Sequence, residues 1–239
     1  MKKSITASIV AVLSLVSYMG ISTAKSDDTH PLTAHEAFEV LDKSVVEFTK
    51  YPGKTMCTAT AIAPRTFLTA GHCIKGEATF IVDQYGNEFK VSSVTVGVGM
   101  KEDYPGLQKD WAIVHTDLYV PGISYVAIGC DETLYVGMPV AYLGYPYPLN
   151  RHLGVGIISS IIEPDIITSN TAMASFNASS GASGSAVISL DTGNIIAILT
   201  TILTPPPGIL LATGLEPISE TDYCRDIAYD KRSNGPTSR

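Results

Sequence analysis

Thr69-Ala70-Gly71-His72-Cys73 decides how this chain is read. A hydrophobic run, Ala61-Ile62-Ala63 through Phe67-Leu68, precedes it, and Cys57 lies sixteen positions before Cys73. Further along come Asp110-Trp111-Ala112-Ile113-Val114 and then Gly181-Ala182-Ser183-Gly184-Ser185. A histidine, an aspartate and a serine therefore occur in that order, each in a distinctive setting. Chemistry gives the order a meaning. A serine hydroxyl is a weak nucleophile at neutral pH and needs a base within hydrogen-bond reach, a task suited to a neutral imidazole. The imidazole in turn needs a carboxylate to fix its tautomer and stabilise its cation.

Other candidates for each role are weaker. His30 and His35 lie in an N-terminal extension, His115 in an expected strand and His152 in a turn-rich segment, so each reads as an ordinary polar residue. Asp110 opens an apolar run that would place its carboxylate at the inner end of a strand. Asp103 lies in a polar loop with Lys101, Glu102 and Tyr104, and Asp117 follows the strand; both stay as alternative acids. Ser183 has glycine two positions before it and immediately after it, whereas Ser179, Ser180 and Ser185 read as loop hydrogen bonders.

Composition bounds the rest. Of 239 residues 45% are hydrophobic and 16% charged, which excludes a disordered chain. The net charge of −7, without basic runs, argues against nucleic acid or an anionic membrane surface as partner. Residues 1–24 read as a secretory signal: Lys2 and Lys3, then a short apolar run, then Ser22-Thr23-Ala24 before polar Lys25-Ser26-Asp27-Asp28. The run is short and serine-containing for a membrane span. Cleavage after Ala24 removes two lysines and no acid, taking −7 to −9. Four cysteines in an exported chain imply two disulfides, with three possible pairings. No cysteine or histidine spacing is of metal-binding type, and no cofactor is expected.

Along the chain, residues 33–43 predict a short helix, with Thr33 and Glu36 as a capping box and Phe38 and Leu41 on one face. Short β-type runs follow at 44–49, 55–63, 78–82, 91–98, 111–115, 139–143, 156–162, 186–190 and 194–203. Turns such as Gln84-Tyr85-Gly86-Asn87 and Asp191-Thr192-Gly193-Asn194 separate them. Many short strands and frequent turns predict a sandwich or barrel. Residues 120–131 form a crossing between two halves, 219–229 a closing helix with an acidic first turn, and 231–239 a loose polar tail.

The order and settings of His72, Asp110 and Ser183 resemble those of chymotrypsin-fold, trypsin-like serine proteases. Gly137-Met138-Pro139-Val140-Ala141-Tyr142-Leu143-Gly144-Tyr145-Pro146 and 181–198 most resemble the bacterial HtrA-type branch. The 56 residues after Ser183 are too few for the PDZ domain, a peptide-binding module, that such proteins often carry. The resemblance implies an all-β fold of two six-stranded antiparallel Greek-key barrels, the first over 44–126 and the second over 127–230. It implies a protein or peptide substrate cut through an acyl-enzyme, with the backbone N–H groups of Gly181 and Ser183 as oxyanion hole. It implies the pair Cys57–Cys73, which leaves Cys130–Cys224. It also places Asn177, Thr200 and Thr201 at the pocket for the residue before the cut. Asn177 is neutral there, which implies a preference for uncharged residues. Two departures stand out: Ala182 replaces the aspartate of digestive members, and no Ile-Val-Gly-Gly-like N-terminus occurs. Zymogen activation through those features is therefore not expected.

An α/β-hydrolase needs its acid and histidine after the serine, and here both precede it. A protease-like fold serving as a non-catalytic binding module is the remaining alternative.

Overall fold

The computed structural model describes residues 31–51, 54–76, 80–96, 110–147, 149–161, 172–203, 212–217 and Cys224. Of 54–56, 75–76, 201–203 and 212–217 it describes the backbone alone. The expected signal segment, Asp103, the polar tail and all of the expected closing helix except helical Cys224 lie outside these residues.

Helix α1, Ala34–Asp42, starts where its capping box dictates. Thr33 Oγ1 accepts from Glu36 N at 3.3 Å, and Glu36 Oε2 accepts from Thr33 N at 2.7 Å. Ala37 and Leu41, four apart and hence stacked on one face, are fully buried. Phe38, expected on that face, is about a third exposed and lies beneath the Arg151 guanidinium at 5.9 Å. Among the described residues no helix is long and apolar enough to cross a membrane.

The rest is β-structure, in two closed antiparallel barrels. The first holds β1 Val45–Tyr51, β2 Lys54–Ala63, β3 Thr66–Thr69, β4 Phe80–Val82, β5 Glu88–Val96 and β6 Ala112–Thr116, in the order β1-β2-β3-β6-β5-β4. The second holds β7 Pro139–Gly144, β8 His152–Ile161, β9 Ala172–Ala174, β10 Ala186–Ser189, β11 Ile195–Leu203 and β12 Ala212–Pro217, in the order β10-β11-β12-β9-β8-β7. His152, expected in a turn-rich segment, opens β8 and pairs with Gly144.

Strand β7 explains how the barrels join. Successive side chains of a strand point to opposite faces. Val140 and Tyr142 fill the second barrel together with Val187 of β10. Ala141 and Leu143 point the other way, into a core shared with Phe48, Phe67 and Leu68 of the first barrel. Both faces of β7 are buried, so its sequence is a continuous apolar run instead of an alternation. Strand β5 is the opposite case, with most of its residues exposed.

The crossing segment threads through this shared core. Val120 and Val126 are buried in it, Val126 N donates to Ala61 O at 3.0 Å, and Ile195 N donates to Ala127 O at 2.8 Å. Disulfides join Cys57 to Cys73 and Cys130 to Cys224, the pairing that the resemblance implied. The second ties the crossing segment to the C-terminal region.

Candidate active site

His72 lies in a 3₁₀ turn, Gly71–Gly76, directly after β3, and Asp110 stands two residues before β6. Thr69 of β3 pairs with Ala112 of β6, so both residues leave the sheet at the same end. There the Asp110 carboxylate spans the His72 residue. Its Oδ2 is 2.7 Å from the ring Nδ1 and its Oδ1 accepts the His72 backbone N–H at 2.6 Å. The contact assigns the proton to Nδ1 and leaves Nε2 as an acceptor. The Asp110 side chain is 13% exposed and that of His72 41%, so the acid is shielded and the ring reaches solvent. Asp117, one of the alternative acids, is exposed; its carbonyl takes a bond from Arg65 at the far end of β6.

Ser183 is half-buried in the loop before β10. The loop abuts the histidine turn. Ser183 O lies 3.9 Å from Cys73 Sγ, and a Cβ on Gly184 would strike Thr69, Thr58 and, at 2.9 Å, Ala70 N. With its φ of +86°, that crowding makes glycine the residue that fits at 184. Gly181 has φ +96°, and a Cβ there would meet the Tyr145 carbonyl oxygen.

Four consecutive carbonyls of this loop are each pinned. Ser180 O accepts from Tyr147 N at 2.6 Å, Gly181 O from Thr58 Oγ1 at 2.8 Å, Ala182 O from Ser185 N at 3.0 Å and Ser183 O from Thr58 N at 2.8 Å. A trans peptide points its N–H opposite to its C=O. The alternate N–H groups, of Ala182 and Gly184, donate to Ser179 O and Leu199 O. Those of Gly181 and Ser183 have no partner among the described residues. Two unspent donors on alternate peptides are suited to receiving one anionic oxygen.

The three residues expected at the pocket are less uniform. Asn177 is exposed, and its carbonyl accepts from Tyr142 Oη at 2.6 Å. Phe176 packs against the Tyr142 ring at 4.8 Å between centroids, and burial pushes the Tyr142 hydroxyl far above its ordinary pKa. Thr200 is buried at a bulge of β11, where Leu199 pairs with Leu215 and Thr201 with Gly214. The Thr201 side chain lies outside the described residues.

Cys57, Cys73 and His72 hold potential ligand atoms within 4.8 Å of one another. The disulfide consumes both sulfurs, which leaves one imidazole of this cluster as a possible ligand.

Sequence reasoning did not single out Thr58 or Tyr145. Tyr145 N donates to Thr58 Oγ1 at 3.0 Å. The Tyr145 ring is buried, and its hydroxyl has no hydrogen-bond partner among the described residues. Burial pushes that hydroxyl up to about 12; Arg151 opposes the shift, and Glu47, Asp42 and Asp83 add to it. The bonds of Thr58 with Tyr145, Gly181 and Ser183 span 87 to 125 positions of sequence, and no local motif announces them.

A family profile described as trypsin-like peptidase domain matches residues 57–198. A probable periplasmic serine endoprotease, DegP-like, of Halomonas elongata is 28% identical over 180 residues. That match covers 72% of this chain and 34% of the relative, so the chain spans about a third of that protein's length. Among solved structures, the HtrA-type protease AlgW with a decapeptide superposes with a TM-score of 0.62 at 16% identity, over 85% of this chain and 69% of that one. A serine endoprotease from Yersinia pestis superposes at 0.60 and 17%, over 86% and 69%. Both share the fold.

Proposed function

The chain belongs to the trypsin-like peptidase domain family, and on that premise we propose that it is an exported serine endopeptidase working through His72, Asp110 and Ser183. The observation that carries the reading is the pairing of the His72–Asp110 contact with two unspent N–H donors, those of Gly181 and of Ser183 itself. His72 Nε2 takes the Ser183 hydroxyl proton as Oγ attacks a peptide carbonyl. The carbonyl π electrons move to its oxygen, which the N–H groups of Gly181 and Ser183 receive. As the tetrahedral species collapses, the C–N bond breaks and the imidazolium gives its proton to the leaving amine. An acyl-enzyme on Ser183 remains. Water then repeats the cycle, with His72 taking its proton and returning it to Oγ. Asp110 stays ionised throughout and stabilises the imidazolium.

The substrate is a protein or peptide, cut after an uncharged residue received beside Asn177. The AlgW structure with its decapeptide and the endoprotease names of the relatives support a peptide substrate. The same reading takes each barrel as a Greek key, places a helix around Cys224, and has cleavage after Ala24 send the mature chain to the periplasm or beyond.

Turnover of labelled casein by the native chain and by Ser183→Ala tests the proposal. The expected result is a loss of about 10⁶-fold with unchanged circular dichroism. An equally active Ser183→Ala overturns the assignment. A native chain that binds casein but never cleaves it indicates a non-catalytic binding module.

A further inference from the structure

We infer that Thr58 is a positioning residue, whose hydroxyl holds the oxyanion-hole peptides in register; the inference rests on the protease reading above. Thr58 lies in β2 of the first barrel, whereas Ser183 belongs to the second. It is fully buried, and every polar atom it has is committed. Its N–H donates to Ser183 O and its hydroxyl to Gly181 O, both at 2.8 Å. The hydroxyl oxygen also accepts from Tyr145 N at 3.0 Å, and the Thr58 carbonyl accepts from Thr69 Oγ1 at 2.8 Å. A hydroxyl has one proton to give. With Tyr145 N–H occupying an acceptor position, that proton points at Gly181 O.

The position of these two carbonyls matters. The hole donors sit on peptides 180–181 and 182–183, and Thr58 holds peptides 181–182 and 183–184, one between the donors and one just beyond them. If peptide 181–182 turns about its flanking bonds, the N–H groups of Gly181 and Ser183 cease to converge on one point. Thr58 thus governs their relative aim without touching the substrate. It also adjoins Cys57, whose disulfide partner Cys73 follows His72. One residue of the first barrel therefore indexes the nucleophile loop against the base.

The test compares Thr58→Val with Thr58→Ser in the full chain. Valine keeps the shape, removes the donor to Gly181 O and leaves Tyr145 N–H without an acceptor. The expected result for Thr58→Val is a fall in kcat on labelled casein of about 10- to 100-fold, with KM within about threefold. Sulfonylation of Ser183 by phenylmethylsulfonyl fluoride slows in step. Thr58→Ser restores kcat to within about threefold of native, since it keeps the hydroxyl. A role confined to stability would lower the melting temperature and leave kcat of the folded enzyme and the sulfonylation rate untouched. If Thr58→Val melts below the assay temperature, Thr58→Ala carries the same expectation. A kcat within threefold of native in a hydroxyl-free variant overturns the inference. So does failure of serine to restore, or loss of fold in both hydroxyl-free variants. A native chain that neither cleaves casein nor is sulfonylated at Ser183 removes the protease reading itself, a separable result.

Discussion

The two sides of the candidate active site are built from different materials. On the first barrel the chemistry is held by side chains, one carboxylate gripping one imidazole and its backbone N–H at the common end of β3 and β6. On the second barrel it is held by backbone, four carbonyls in a row each fixed so that two N–H groups stay unspent. A side-chain device has few partners and reaches solvent, as His72 does. A backbone device depends on everything that touches the loop, including a threonine on the other barrel. If the proposed mechanism holds, the histidine side should fail at single named residues, and the serine-loop side at positions that only shape the loop.

The largest test of that contrast is Asp110→Asn. The amide cannot hold the imidazole in the required tautomer, and turnover should fall by about 10⁴-fold with the fold intact. Steady-state kinetics on casein check this, and a loss under tenfold would show that another acid serves His72. Next is Gly181→Ala. At φ +96° a Cβ is strained and faces the Tyr145 carbonyl, so the loop must shift. The expected loss of kcat is about 10²-fold or more, comparable to removing an oxyanion donor. Full activity there would mean that the loop is softer than four pinned carbonyls imply.

Disulfide removal sharpens the comparison. Cys57→Ser with Cys73→Ser and Cys130→Ser with Cys224→Ser should each cost about 2–5 kcal/mol, read by urea denaturation. The first pair flanks His72 and Thr58 and should also lower kcat. The second joins the crossing segment to the C-terminal region and should leave kcat of the folded enzyme as it is. The smallest expected effect is that of Tyr145→Phe, which deletes a buried hydroxyl without a hydrogen-bond partner and should change stability at pH 7 by no more than about 1 kcal/mol. Its signature is in alkali. The folded value of about 12 lies above the ordinary 10.0, so the stability contributed by the neutral phenol is complete below pH 10 and lost toward pH 12. Tyr145→Phe should flatten that limb of the melting-temperature profile. An unchanged limb would assign it to Tyr142, whose phenol burial also raises.

Sequence reading was strongest where chemistry is local. The helix start at Thr33 is written in one capping box. The short apolar runs announced most strands, because β-branched residues and turn glycines punctuate them. Three strands escaped notice for the same reason. Thr66–Thr69 sits inside what read as one hydrophobic stretch, Ala-Met-Ala of β9 carries no β-branched residue, and β12 reads Ala-Thr-Gly-Leu-Glu-Pro, rich in poor strand formers. The last two pair with each other, from segments far apart in sequence. His72, Asp110 and Ser183 stood out as candidates because each sits in a short distinctive string. Thr58 did not, since the role proposed for it rests on contacts with residues far along the chain.

Arg151 carries a consequence for how this chain can be trimmed. Its guanidinium, rooted in the second barrel, holds the Asp42 carboxylate at 2.9 Å and the Asp42 carbonyl at 2.7 Å, covers Phe38, and bonds Gln84 of the first barrel. Its Nε is already buried without a partner among the described residues. A maturation cut on the C-terminal side of Asp42 would discard the carboxylate and the ring together and strand a half-buried cation over the seam between the barrels. A cut before Thr33 would spare the hydroxyl that starts the helix delivering Asp42.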